Sequence, residues 1–265
     1  MRRFVTLAAL IIATSACTSS SSTTGVTAKA HGVPLTRIQA NNMASMLFKN
    51  HDAGGGNFTA EVPYGAAASF TLTGSIDWKK HLGKATLATH LASGASPPSI
   101  ELYWIQTDSQ QVVLLGGIAN FEVEMAALGK TGVKYLARPL SDKTPQDIVL
   151  KFVNALASTQ RDNPQLLQFG DPKNAAAEFL RTDTVNGVPV EVFTQGGKVR
   201  FWVTIDTGML AKVDADLGGF AGPTVITFAK VGPIDLASPQ ASEVVDAATL
   251  PQPVIDRLFP KPSPG

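Results

Sequence analysis

The chain has 265 residues, of which 44% are hydrophobic and only 16% are charged, below the quarter that is usual for soluble domains. Its formal net charge is +1, which becomes −1 without Arg2 and Arg3. This composition gives no basis for nucleic-acid binding, which requires a basic stripe. The chain contains one cysteine and therefore no internal disulfide, so its stability must come from a sizeable buried core.

The N-terminus has the order of a bacterial secretory signal. Arg2 and Arg3 precede the apolar run FVTLAALIIA, which is too short to cross the roughly 30 Å hydrocarbon layer of a membrane. Small residues from Thr14 onward then precede Cys17, as in a lipobox, although leucine is commonest where Thr14 stands. We expect residues 1–16 to be removed and the thiol of Cys17 to carry lipid, anchoring the protein on the outer face of the cell membrane. The alternative is secretion without lipid.

The first elements follow a Ser/Thr-rich tether, which we assign to residues 17–33 because its composition cannot build a core. Thr36 and Gln39 have the spacing of a capping box and predict a helix that ends near the Gly54 break. Its expected apolar side consists of Ile38, Met43, Met46 and Leu47. Period-two alternation then predicts strands over residues 57–64, 67–78, 83–91, 99–106 and 111–116.

The middle of the chain predicts a helix with Thr144 as N-cap and Pro145 at its first position, ending near Thr159. A short punctuated segment with Leu166, Leu167 and Phe169 follows. Strands are expected again over residues 177–185, 188–195, 198–205, 210–216 and 224–231. The order strands, helices, strands predicts an α+β fold: a single curved antiparallel β-sheet, or half-open barrel, with helices covering the concave face. We assign this domain to residues 34–240 and a proline-rich tail to residues 241–265.

Several short segments resemble the LppX/LprG-type actinobacterial lipoproteins. They are the strand–turn–strand VRFWVTIDTGMLAKVDA at residues 199–215, the closing strand FAKVGPIDLASP at residues 228–239, and the strands FTAEV at 58–62 and GSIDW at 74–78. The resemblance spans roughly residues 35–240 and extends more broadly to the LolA/LolB carriers. It implies a half-open barrel whose concave side, covered by helices, binds the acyl chains of a lipid. It implies no catalytic residue.

The sequence also provides candidates for the wall of such a cavity, taken from alternate strand positions and from the apolar helix face. They are Phe70, Leu72, Ile76, Leu102, Trp104, Phe152, Leu156, Val192, Phe201 and Val203. Trp78 and Trp202 are expected at strand ends or on the opposite side. A filled core and a lipid cavity have the same apolar pattern, and for any single one of these residues packing alone is the favoured role.

Catalytic and metal chemistry have weak support in the sequence. Asp206-Thr207-Gly208 matches the short motif of aspartic proteases, but that chemistry needs two carboxylates and the chain has one such motif, at a place where a hairpin needs a turn. His31, His51, His81 and His90 are too scattered for a metal triad. We therefore expect a noncatalytic lipoprotein without cofactor that binds an acylated lipid or glycolipid. The alternative is an interaction or sensor module with a filled core.

Overall fold

The computed structural model describes residues 32–94, 96–106, 110–170 and 175–259. In these ranges the chain is α+β, with thirteen strands in one open sheet and five helices. The strands are β1 (Val33–Pro34), β2 (Gly55–Pro63), β3 (Ala68–Asp77), β4 (Leu82–Leu91), β5 (Ile100–Gln106), β6 (Gln111–Gly116), β7 (Tyr135–Pro139), β8 (Ala177–Val185), β9 (Val188–Gln195), β10 (Val199–Thr204), β11 (Leu210–Ala215), β12 (Thr224–Val231) and β13 (Val244–Asp246). The helices are α1 (Arg37–Ala53), α2 (Phe121–Ala127), α3 (Pro145–Ala155), α4 (Pro164–Phe169) and α5 (Gln252–Leu258).

The sheet consists of two antiparallel meanders joined side by side. Strands β2 to β7 pair in sequence order, strands β8 to β12 do the same, and β12 pairs with β2. The short strands β1 and β13 form the two edges, and β13 is parallel to β7. The expected single, largely antiparallel sheet is confirmed, with every predicted strand within a few residues of its observed bounds.

Local sequence signals explain how the predicted elements begin and turn. The Thr36 hydroxyl accepts a hydrogen bond from the Gln39 backbone N–H at 3.3 Å, and the Gln39 side chain accepts one from the Thr36 N–H at 3.1 Å, so the capping box is present. Asn186 and Gly187 both have positive φ in the β8–β9 turn, as a tight hairpin requires. Helix α3 begins at Pro145, but Thr144 makes no side-chain cap and the helix ends at Ala155, before the expected Thr159.

Two segments contain helices and strands that the sequence analysis does not predict. Helix α2 and strand β7 lie between the two predicted blocks, and residues 241–259, expected to be part of a tail, contain β13, α5 and two single-turn 3₁₀ helices. Val254 and Leu258 of α5 are one helical turn apart and both are buried. The C-terminal segment therefore belongs to the fold as far as residue 259. The prolines of this segment obscure the helical periodicity of α5, which is only two turns long.

One large hydrophobic cluster forms the core on one side of the sheet. All five helices bury apolar side chains in this main cluster, together with residues from both meanders. Its largest fully buried side chains are Trp104, Phe58, Phe193, Leu72, Ile76, Leu102, Met125, Leu136, Leu150, Leu210, Ile226 and Val62. A second cluster, Val190, Val192, Trp202 and Ala211, contains no helix residue and lies on the opposite face of the sheet. The helices therefore cover one face only.

Leu258→Ala tests whether the C-terminal helix belongs to the fold. Because Leu258 is buried in the main cluster, we expect the free energy of unfolding to fall by about 2 to 5 kcal/mol in urea denaturation. Val123→Ala is the control, since Val123 is 70% exposed on α2, and should change stability by about 0.5 kcal/mol or less. Equally small effects of both substitutions would mean that α5 does not stabilise the domain.

Candidate functional site

Nine of the ten candidate wall residues lie together in the main cluster. Phe70, Leu72, Ile76, Leu102, Trp104, Leu156 and Val203 are buried there, and Phe152 and Phe201 pack against it half-buried. Val192 does not join them, because it pairs with Trp202 and belongs to the second cluster. Its neighbour Phe193 is fully buried in the main cluster and pairs with Phe201. Both residues are apolar, so alternation alone could not decide which one faces the helices.

The wall residues pack against one another and against the helices. Leu72, Ile76, Leu102 and Trp104 have no exposed surface. The rings of Phe58 and Trp104 meet edge to face at 6.2 Å between centroids. The Trp104 indole lies so close to Gly83 on the paired strand that a Cβ at residue 83 would overlap the ring. These wall residues are therefore buried and closely packed against neighbouring side chains.

Polar side chains fix the end of α3 inside this apolar region. The Asn50 amide of α1 is fully buried; it donates to the Leu156 carbonyl at 2.7 Å and accepts from the Leu210 N–H of β11 at 3.1 Å. The Trp78 indole donates to the Val153 carbonyl at 3.2 Å. The Leu156 carbonyl lies at the buried end of the helix, where Asn50 supplies its donor. The Val153 carbonyl also accepts from the Leu156 N–H at 3.3 Å, so Trp78 is its second donor. We call these contacts the α3 clamp, and Trp104 extends it by donating to the Asn154 side chain at 2.9 Å.

Trp78 and Trp202 lie on different faces of the sheet. Trp78 follows the last residue of β3 and is buried in the main cluster, where its ring lies 5.7 Å from that of Phe228. Trp202 is on the face without helices, and its indole donates to the Asp183 carboxylate at 3.1 Å. The sequence prediction of an opposite-face position therefore applies to Trp202 alone.

Two depressions stand out on the surface of the described residues, and neither is lined by a wall residue. The larger, of about 350 Å³, lies between the start of α1 and α4 and is lined by Arg37, Ala40, Asn41, Pro164, Gln165, Gln168 and Phe169. The smaller, of about 120 Å³, is lined by Thr73, Gly74, Ser75, Lys84, Ala85, Thr86 and Leu236. Pockets that bind small molecules occupy roughly 300–1,000 Å³, so only the larger depression reaches the lower end of that range.

An ion pair beside the smaller depression is already satisfied within the protein. Lys84 Nζ lies 2.6 Å from the Glu101 carboxylate, which also accepts a hydrogen bond from the Tyr135 hydroxyl at 2.8 Å. Partial burial raises the pKa of Glu101, but the bonds from Lys84 and Tyr135 outweigh it and hold that pKa below its ordinary value. The bond to Glu101 raises the pKa of Lys84. Lys84 therefore pairs with a carboxylate of the neighbouring strand, and this pair, rather than an anionic ligand, accounts for its position.

The sequence motifs with possible chemistry are dispersed. Asp206 is exposed in the β10–β11 turn, where its carboxylate accepts from the Thr207 N–H at 2.7 Å, and Gly208 has the positive φ that such a turn needs. Within the described ranges no three His, Cys, Asp or Glu residues converge as a metal site. No helix in those ranges is both long and apolar enough to span a bilayer. Cys17 and His31 lie outside the described residues.

Comparison with known proteins gives little similarity. No protein-family model matches the chain, and no curated protein matches it. Among solved structures, MucB is matched at 13% identity and a TM-score of 0.31 over 76% of this chain. The MucA/MucB complex of Pseudomonas aeruginosa is matched at 12% identity and a TM-score of 0.33, and MucB in complex with MucA(peri) at 13% and 0.32. The chain spans only 58–61% of the length of these structures.

Asn50→Ala tests the α3 clamp. The substitution leaves a buried carbonyl and a buried N–H without partners, at about 1 to 3 kcal/mol each. We expect thermal and urea denaturation to show a loss of about 2 to 5 kcal/mol, near the top of the range for single substitutions. Asn41→Ala, at an exposed position of the same helix, is the matched control. A loss for Asn50→Ala no greater than that for the control would mean that the clamp does not stabilise the domain.

Proposed function

We propose that this protein is a noncatalytic binding module, lipid-anchored on the outer face of the cell membrane, that contacts its partner through the surface of a domain with a filled core. The observation that supports this choice is the closure of the candidate wall: Leu72, Ile76 and Leu102 have no exposed surface. A preformed cavity for acyl chains would leave such residues facing empty volume. This burial supports the alternative that the sequence analysis left open, an interaction or sensor module with a filled core.

The proposed membrane anchor rests on the sequence of the N-terminus. Small residues precede Cys17 directly, and the thiol is the only one in the chain. Two acyl chains on one residue give stable attachment, because each buried methylene contributes about 0.8 kcal/mol and a single chain is marginal. The domain needs no apolar helix of its own to remain at the membrane.

The finer architecture is also a proposal: the sheet curves as a half-open barrel, as the LppX/LprG resemblance implies. Residues from both meanders share one cluster under the helices, which supports a concave helical face. The pair Ala60 and Leu72 of the first meander lies beside Ile226 of the second, in neighbouring strands. A strongly twisted sheet of many strands curls more readily than it stays flat.

Acyl-chain binding is the second candidate, and one specific observation favours it. Phe152 of α3 and Phe201 of β10 are members of the expected wall that remain half-buried, so solvent reaches the edge of the main cluster there. A lipid that displaced these rings would need α3 to move, against the α3 clamp. Shielding several hundred Å² of acyl surface at ~25 cal/mol per Å² yields on the order of 10 kcal/mol, which could drive such a movement.

Cys17→Ala tests the anchor. We expect the variant to leave the membrane fraction and appear in the soluble extracytoplasmic fraction, because the substitution removes the thiol that would carry the lipid. Cell fractionation and metabolic labelling with a fatty acid provide the measurement. Ser15→Ala, which keeps a small residue before the cysteine, is the control and should stay in the membrane. A variant that remains in the membrane fraction without lipid labelling would contradict the anchor.

Leu72→Trp distinguishes the filled core from the lipid cavity. In a filled core the indole cannot be accommodated, and we expect a loss of about 1 to 3 kcal/mol or more. Thr73→Trp is the matched control, since Thr73 is exposed on the other face of the same strand and should change stability little. Melting temperature and solvent-extractable lipid are measured on the same preparations of parent and variants. Lipid in the parent that decreases in a stable Leu72→Trp protein would refute the filled core in favour of acyl-chain binding.

A further inference from the structure

Exposed apolar side chains lie on β1, α1 and α4; residues of α1 and α4, Phe169 among them, line the larger depression. These side chains, Val33, Ile38, Leu166 and Phe169, are 57%, 72%, 46% and 75% exposed. Phe169 and Ile38 are the most exposed large hydrophobic residues in the described part of the chain. Single exposed apolar residues are ordinary on protein surfaces, but a group of them marks a contact surface. We call these four residues the end patch.

Helical geometry explains why Ile38 belongs to this surface and not to the core. The sequence places Ile38 on the apolar side of α1, yet at 3.6 residues per turn it lies about 140° round the helix from Met43. Met43, Met46 and Leu47 are buried, and Ile38 is left on the solvent side. In α4, similarly, only Leu167 is buried, whereas Leu166 and Phe169 face outward. Two separate elements thus expose apolar side chains at the same end of the domain.

The chain enters the fold beside this patch. Gly32 donates its N–H to the Glu178 carboxylate at 3.2 Å, and β1 pairs with β8 at the sheet edge. Gln168 of α4 then donates to the Leu35 carbonyl at 3.0 Å. The N-terminal residues that carry Cys17 therefore connect to the domain at the end patch, on the same side as α4.

The distance from Cys17 to this point is limited. Fourteen residues lie between Cys17 and Gly32, and a fully extended chain of that length spans at most about 50 Å. If Cys17 carries lipid, the end patch is consequently the part of the domain held nearest the bilayer. Tethering at this range gives a high effective concentration, so that contacts too weak to bind a free protein become occupied.

We propose that the end patch contacts the lipid bilayer surface, with Phe169 and Ile38 in the headgroup layer and Arg37 beside lipid phosphate. This proposal rests on the anchor of the proposed function and adds the orientation of the domain to it. Aromatic and aliphatic side chains partition into the interfacial region, and guanidinium groups bind phosphate well. Arg37 is exposed and lines the same depression as Phe169. The rest of the sheet surface would then face away from the membrane, available to an envelope partner.

The test uses the mature lipidated protein, beginning at Cys17, reconstituted in vesicles of phosphatidylcholine and phosphatidylglycerol. The variants Phe169→Cys and Ile38→Cys are labelled with a polarity-sensitive dye, and Val123→Cys is the matched control. Val123 is 70% exposed on α2, which follows β6 at the other end of the strand order. The lipidated Cys17 has no free thiol, so each protein is labelled at one site. Melting temperatures of the variants verify that they are folded.

We expect the dye at residues 169 and 38 to shift to shorter wavelength and to be quenched several-fold more strongly by brominated acyl chains than the dye at residue 123. Equal quenching at all three residues by aqueous iodide, with no effect of brominated lipid, would overturn the proposal. Protection from iodide without quenching by brominated lipid would also overturn it, since it would indicate a protein contact or a second copy of the chain at this surface.

Failure of the anchor is recognised separately. In that case the parent protein does not float with the vesicles, and its Cys17 reacts with the dye. The same variants, carrying Cys17→Ser and an N-terminal histidine tag, are then bound to vesicles containing a nickel-chelating lipid. The brominated-lipid measurement in that arrangement supports or overturns the end-patch contact independently of natural lipidation.

Discussion

The carbonyl groups at the end of α3 are the constraint on which the arrangement of this domain depends. They are buried in the apolar interior, where an unpaired polar group costs several kcal/mol. Asn50 of α1 donates to the Leu156 carbonyl, and Trp78 beyond β3 gives the Val153 carbonyl a second donor beside the Leu156 N–H. Because Asn50 also accepts from Leu210 of β11, one buried side chain joins two helices to the second meander. Any alternative placement of α3 would have to replace all of these partners.

This constraint bears directly on function. A helix that covers a lipid cavity must yield when the ligand enters, whereas α3 is tied to α1, to the end of β3 and, through Asn154, to Trp104. Buried hydrogen bonds of this kind favour one rigid arrangement over many adjustable ones. We therefore consider the domain a stable scaffold that binds through its outer surface, with the end patch proposed to face the bilayer. Phe152 and Phe201 are only half-buried, so movement of side chains in the main cluster would be detected first at these two residues.

The sequence predicted most of the sheet because strand alternation and turn residues are local properties. Asn186-Gly187 and the capping box at Thr36 form as their chemistry requires. The sequence-based prediction failed where tertiary packing decides which side chain is buried or which strands pair. Val192 and Phe193 are both apolar, and only the pairing with Phe201 puts Phe193 under the helices. Strand β13 exists because β7 offers it an edge, which no local pattern in a proline-rich segment could indicate. The closure of the wall depends on side-chain volumes from distant strands, as at Gly83 and Trp104.

Native-state amide hydrogen exchange of α3 is the most direct test of a clamped helix over a filled core. The amides of Val149, Leu150 and Val153 lie on its buried face. If the account is correct, they exchange only through global unfolding, with the same free energy of opening as the central strands β2 and β3. Opening of α3 several kcal/mol below global unfolding, or a rise in its protection when phospholipid is added, would contradict the account and indicate a helix that moves to admit a ligand.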